Sequence, residues 1–278
     1  MKHFHRGRNV INNRVFKQWI YDFPKKRGRQ TPSITKIMAT FRFYLSVTMN
    51  SNITILHIET ATKVCSCSLA TNGELVFVKE SHAEQTHAKL LGVFTEEAVK
   101  YARLNNLNIQ AIAVSSGPGS YTGLRIGVSE AKGLAYGLDA KLIAIPTLKL
   151  LASMVGSQVD ADTLLCPMID ARRMEVYTSV FDKQLNIIEP TTAKIIDEES
   201  FMNLLPHHKI AFFGDGAFKC KDMITHPNAI FIPDIHPLAS GMTDLSLEAY
   251  RNDSFEDVAY FEPFYLKDFV ATKPKRIF

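Results

Sequence analysis

The sequence predicts an α/β fold of two related lobes, and three observations carry that prediction. Three short strand-like runs, Ile53 to Glu59, Val64 to Ala70 and Glu74 to Glu80, follow one another with tight turns and lead into a helix–strand–helix–strand alternation. After a short polar stretch, Gly156 to Asp162, the same opening of three strands begins again and a shorter alternation follows it. A glycine-rich loop, SSGPGSYTGLRIG from Ser115 to Gly127, joins a strand to a helix in the first half. Repeated βββαβα units belong to mixed-sheet α/β architecture.

The elements follow from local chemistry. Ile53 to Glu59 and Val64 to Ala70 are nearly continuous apolar runs, as strands covered on both faces require. Asn72-Gly73 supplies the pair of left-handed residues that a type I′ hairpin needs, so Glu74 to Glu80 is an antiparallel third strand. From Ala83 to Asn105, Leu90, Leu91, Phe94, Ala98, Tyr101 and Ala102 recur at three- and four-residue spacing, the mark of an amphipathic helix. Ile109 to Ser115 returns as a strand, Leu124 to Leu138 is helical, and Lys141 to Ile145 is a strand. Pro146 then opens a helix that runs to about Val155. In the second half Thr163 to Asp170, Met174 to Phe181 and Leu185 to Thr191 read as strands. They are followed by a helix at Glu198 to Leu205, a strand at Lys209 to Gly214 and a helix around Ser246 to Asn252. The expected division is a first lobe at 49–156 and a smaller second lobe at 157–278.

Composition bounds the function. The chain has 278 residues, 46% of them hydrophobic, which suffices for a sizeable core. Its net charge of +4 is unevenly placed: residues 1–48 hold 11 Lys/Arg and one acid, Asp22, and the remainder holds 21 basic and 27 acidic residues. The body is therefore mildly acidic and a poor solo binder of nucleic-acid phosphates. Residues 1–48 fit an Arg-rich targeting segment only in part, lack the apolar stretch of a secretory signal, and have the charge of a nucleic-acid-binding arm. The expectation adopted is a disordered basic extension ahead of a translation start at Met49. Cys65, Cys67, Cys166 and Cys220 have neither C-x-x-C pairing nor metal spacing. No apolar run reaches the roughly 18 residues that cross a bilayer.

The chemistry-bearing residues are few. Gly119, Gly123, Gly127, Ala131 and Ala135 recur every four residues and lay a strip of small side chains along the helix, flanked by Arg125 and Lys132. Glycine in a helix costs about 0.8–1.0 kcal/mol relative to alanine, so the strip implies a close approach by another backbone. That backbone is either the chain's own or a separate partner's, and the partner is the expectation taken. His82 and His87, five apart, would point about 140° apart on one helix and cannot grip one ion. His57 reads as a hydrogen-bonded core histidine and His207-His208 as surface residues. Asp170-Ala171-Arg172-Arg173 is either a turn capped by Asp170 or a contact whose arginine forks meet a partner. Gly214-Asp215-Gly216 is a short motif that is either a second glycine loop or the cap of a helix start.

Three motifs, SSGPGSYTGLRIG, MIDARRMEVY (Met168 to Tyr177) and PFYLKD (Pro263 to Asp268), resemble signatures of the TsaB (YeaZ) family, a branch of the actin, sugar-kinase and heat-shock ATPase superfamily. The resemblance spans Ile53 to Asp268. It implies a two-lobed actin-like (ribonuclease H-like) α/β fold and a non-catalytic scaffold role in forming tRNA N6-threonylcarbamoyladenosine (t6A). By the same resemblance the chain is a cytoplasmic protein without cofactor or metal that binds and activates a TsaD-like catalytic subunit and is joined by a TsaE-like ATPase. It meets tRNA only through that complex, and pairs with itself when the catalytic subunit is absent. The implied interface comprises Leu90, Phe94, Gly119, Tyr121, Gly123, Arg125, Gly127, Ala131 and Ala135, with Asp170, Arg172 and Arg173 as a further partner contact. The rival readings are an ATP-binding kinase or hydrolase, a Gcp-like metalloprotease, and a nucleic-acid module built on the basic leader. Against the first, Glu59-Thr60-Ala61-Thr62 has alanine where a phosphate-wrapping turn needs glycine, and glutamate in place of aspartate.

Overall fold

The computed structural model describes residues 52–83 and 87–267. The reading of residues 1–48 as a disordered extension lies outside them, as do the start of the helix read from Ala83 and the end of the tail.

Ten strands and four α-helices follow in order among the described residues. They are β1 (Thr54–Glu59), β2 (Cys65–Thr71), β3 (Glu74–Ser81), α1 (His87–Leu104), β4 (Ile109–Gly117), α2 (Tyr121–Gly137), β5 (Lys141–Pro146) and α3 (Thr147–Val155). Then come β6 (Leu164–Asp170), β7 (Glu175–Phe181), β8 (Ile187–Ile195), β9 (Ile210–Phe213), β10 (Ala229–Phe231) and α4 (Thr243–Arg251). The strands form two five-stranded sheets, ordered β3-β2-β1-β4-β5 and β10-β9-β6-β7-β8. Read from β3 and from β8, the two sheets have one topology. In each, an antiparallel meander of three strands is extended by two parallel strands beside its first member.

The hairpin at Asn72-Gly73 has φ of 53° and 89°, the double left-handed turn that joins β2 to β3. Strands β1 and β4 sit in the middle of their sheet, which is why they read as unbroken apolar runs. On one face of this sheet Leu56, Ile58, Leu69, Ile112 and Val114 pack under Leu91, Ala98 and Ala102 of α1 and Val128, Ala131 and Ala135 of α2. Each fully buried Leu, Ile or Val there contributes about 1.5–3 kcal/mol. On the other face Ile55, Ala113, Ile143 and Ile145 meet Leu150 of α3 with Met242 and Leu245 beside it. The opposite side of α3, Leu148, Leu151, Ala152 and Val155, packs on Leu165, Ile169, Ala211 and Phe213 of the second sheet.

Two expectations are corrected. Glu198 to Leu205 is a run of turns, because Phe201 takes φ of 64° to bury its ring against Phe212, with centroids 5.2 Å apart. A left-handed residue breaks the helical run there, and the bonds that remain, such as those from Leu204 N and Leu205 N to Phe201 O, close single turns. Helix α2 begins at Tyr121 rather than at Leu124, since the Ser120 hydroxyl caps it by accepting from Gly123 N at 3.2 Å. The three-residue strand β10 has too little apolar pattern to be read from sequence.

Candidate functional site

The turn after β1 is clasped by the glycine loop. Thr60 and Ala61 are buried, Ser120 N donates to Ala61 O at 2.7 Å, and Thr60 Oγ1 donates to Gly123 O at 2.8 Å. A β-carbon at Gly119 would lie 2.8 Å from Ala61 Cβ, and one at Gly123 or Gly127 would fall well under 3.0 Å from Thr60. The chain's own backbone packs directly against this turn. The carboxylate of Glu59 is fully buried, accepting from Ala61 N at 2.6 Å and from the Ser115 hydroxyl. Burial pushes its pKa up to about 8, against the smaller opposing effect of the Ala61 and Thr60 amides.

Two buried titrations thus oppose each other. A protonated Glu59 is held by the folded chain, so its contribution is full below the unfolded carboxylate value near 4.5 and is lost as pH rises towards about 8. His57, buried between Ser68 Oγ (3.0 Å from Nδ1) and Ser246 Oγ (2.8 Å from Nε2), is held down to about 3 by desolvation. Its contribution is lost as pH falls from the free-histidine value of 6.5 towards 3. The two slopes offset one another between pH 4.5 and 6.5, and Glu59 stands alone above that. Glu59→Gln is therefore expected to remove a decline in stability of up to about 1.4 kcal/mol per pH unit between pH 6.5 and 8, read from Tm against pH. An unchanged slope would show that Glu59 ionises freely.

The strip of small residues faces inward. Gly123, Gly127, Ala131 and Ala135 of α2 are all buried within the chain, against the β1 turn and the first core. The close approach that they and the half-buried Gly119 make within the chain is to Thr60 and Ala61. Leu90 and Phe94 are half-buried on α1. Tyr121 is half-buried against Tyr265, and Arg125 is exposed with its guanidinium 5.7 Å from the Tyr121 ring centre. What α2 exposes is a different stripe: Thr122, Arg125, Ser129, Gly133, Tyr136 and Gly137. A β-carbon at Gly133 or Gly137 would meet nothing within 4 Å, and the same holds for the exposed Gly92 of α1. The helices are tied together by Thr95 Oγ1 donating to Glu130 Oε1 at 2.7 Å. The second glycine pair, 133 and 137, has the i, i+4 spacing of the first and was the available signal for this face.

In the second lobe the turn after β6 is clasped in the same manner. Gly214, at φ 102°, and Gly216 lie against the backbone of Met168 to Asp170, and Asp215 Oδ1 accepts from Asp170 N at 3.0 Å. Asp170 Oδ1 accepts from Arg172 N at 3.0 Å and from Lys219 Nζ. The turn-cap reading of Asp170 thus describes its contacts. Arg172 and Arg173 both take positive φ, 73° and 51°, and are exposed. Burial raises the Asp215 carboxyl above its ordinary value, partly offset by the nearby Asp170 amide, His236 and Lys63.

His82 lies after β3 rather than on a helix, 3.6 Å from Glu80 and 6.0 Å, ring to ring, from His236. Among the described residues no group of three or more His, Cys, Asp or Glu is placed to hold a metal ion. All four cysteines are buried and free, and burial pushes the Cys65 thiol up to about 11 and Cys166 up to about 12. No helix among the described residues is long and apolar enough to cross a membrane.

Paired lobes of one topology, each with a glycine loop clasping its first hairpin, define an actin-like α/β protein. The structure of YeaZ from Pseudomonas aeruginosa superposes with a TM-score of 0.67 at 23% identity, over 77% of this chain and all of that one. A family profile described as "TsaD: tRNA N6-adenosine threonylcarbamoyltransferase" matches residues 78–274. The chain is 29% identical to the tRNA threonylcarbamoyladenosine biosynthesis protein TsaB of Haemophilus influenzae, over 80% of this chain and 97% of that protein. It is 28% identical to the protein of the same name from Escherichia coli, over 79% and 96%. The chain belongs to the TsaB (YeaZ) family, within the wider group that this profile describes.

Proposed function

We propose that the chain is a non-catalytic subunit of the machinery that forms t6A in tRNA. It docks a TsaD-like catalytic subunit on the exposed face of α1 and α2 and supports that subunit's activity. The observation that carries this reading is the closed turn at Glu59 to Thr62. A nucleotide-using relative needs that turn open to phosphate and an ionised acid beside it, whereas here Gly119 and Gly123 pack into it and burial pushes the pKa of Glu59 up. The exposed α2 stripe supports the docking half, because Gly92, Gly133 and Gly137 leave room for another helix to approach closely. Arg172 and Arg173, solvent-facing on a turn anchored by Asp170, suit a second protein contact, for which a TsaE-like ATPase is the proposed partner. In the absence of the catalytic subunit the α1–α2 face pairs two copies. The proposed setting is cytoplasmic, with tRNA reached only through the assembled complex and no cofactor held by this chain.

Reconstitution tests the reading. With the catalytic subunit, the ATPase, threonylcarbamoyl donor and tRNA supplied, t6A is expected to form only when this chain is added. The isolated chain is expected to turn over no Mg·ATP. Modification without the chain, or steady ATP hydrolysis by it alone, overturns the proposal.

A further inference from the structure

The segment after α4 does more than end the second lobe, because it returns to the first. Glu256 N donates to Leu142 O at 2.8 Å, and Val258 and Phe261 pack on the first core. Lys132 Nζ of α2 then donates to Ala259 O and Phe261 O, each at 3.0 Å. Phe264 N donates to Ser116 O at 2.7 Å, and the Tyr265 ring sits 4.6 Å from that of Tyr121. The last described residue, Lys267, pairs with Glu175 on β7.

These contacts fix the direction of the tail. From Lys132 back to Tyr121 is about 16 Å along a helix axis, and an extended chain from 260 to 265 covers about 17 Å. The tail therefore runs extended and antiparallel along α2. At 3.6 residues per turn Tyr121, Arg125 and Lys132 fall within about 40° of one another, and Glu130, bonded to α1, lies about 180° from Tyr121. Ser129 and Gly133, exposed, fall in the arc between. The open stripe of α2 is thus walled by α1 on one side and by the tail on the other.

The tail wall carries unburied aromatics. Tyr260 is 84% exposed and Phe264 49% exposed, and Tyr136, one turn beyond Lys132, is 86% exposed. Backbone on both sides of Tyr260 is held by one lysine, so its ring is offered from a fixed main chain. Aromatic side chains on a rigid support are enriched among the residues that dominate binding energy at protein interfaces.

We propose that Tyr260 to Phe264 form the third wall of the docking face, with Tyr260 and Phe264 seating their rings on the catalytic subunit that α1 and α2 hold. This rests on the reading of the preceding subsection, and its occupant is the same partner because tail and stripe form one continuous surface. The test is a titration of the full chain and its variants against purified TsaD-like subunit. Tyr260→Ala/Phe264→Ala is expected to weaken the complex about tenfold with Tm unchanged. In the unsubstituted chain, amide exchange over 258–266 is expected to slow on complex formation. Unchanged affinity in the double variant, or unchanged exchange over that segment, overturns the tail's role. If Gly133→Leu meanwhile abolishes binding, the helical docking face stands without the tail. If neither variant alters binding, the docking reading itself falls.

Discussion

Gly123→Ala is expected to lower the stability of the isolated chain by about 3 kcal/mol, seen as a fall in Tm of roughly 6–12 °C for a chain of this size. The cause is local and rigid. A methyl group at position 123 would fall well under 3.0 Å from Thr60 O, a backbone atom in a buried turn that is itself pinned by Thr60 Oγ1 to Gly123 O and by Ser120 N to Ala61 O. Neither side can yield without breaking those bonds, so the ordinary helix-propensity gain of alanine over glycine, about 1 kcal/mol, is overridden. A partner-interface role alone for this residue would leave Tm unchanged or raised, and that outcome would show the clasp to be loose. Gly127→Ala acts at the same turn but meets the Thr60 side chain, so a smaller fall is expected.

Gly133→Leu is expected to do the reverse. Nothing lies within 4 Å of a β-carbon there, and leucine is the better helix former, so Tm should stay level or rise by an amount equivalent to about 1 kcal/mol. Association with the catalytic subunit, and self-association, should be lost, because a branched side chain would stand where another helix has to come close. Retained binding with retained Tm would place the partner elsewhere. Within one helix, then, glycines six to fourteen residues apart would separate the two jobs: one set fits the chain to itself and the other has open space beside it for the proposed neighbour.

That separation marks what the sequence made legible and what it did not. The spacing of Gly119, Gly123 and Gly127 announces a close approach, but spacing is blind to what approaches. Thr60 and Ala61, the answer, lie about sixty residues earlier in the chain and are brought in by the pairing of β1 with β4. The Asn72-Gly73 hairpin was readable because its cause is confined to two residues. The segment at Glu198 to Leu205 was misread because its local pattern suits a helix, while burial of Phe201 against Phe212 and beneath Lys194 decides otherwise. The tail's motif, PFYLKD, was visible as a motif, yet its course along α2 depends on Lys132 and Ser116, each more than a hundred residues away.

Helix α3 carries a consequence for the way the molecule comes apart. Its Leu150 is seated among side chains of the first sheet and its Leu148, Leu151 and Val155 among those of the second, so neither sheet can shed its cover without stripping the other. Heat should melt both halves in a single calorimetric transition, and a fragment ending at Gly156 would carry a leucine-lined helix with one flank bare to water.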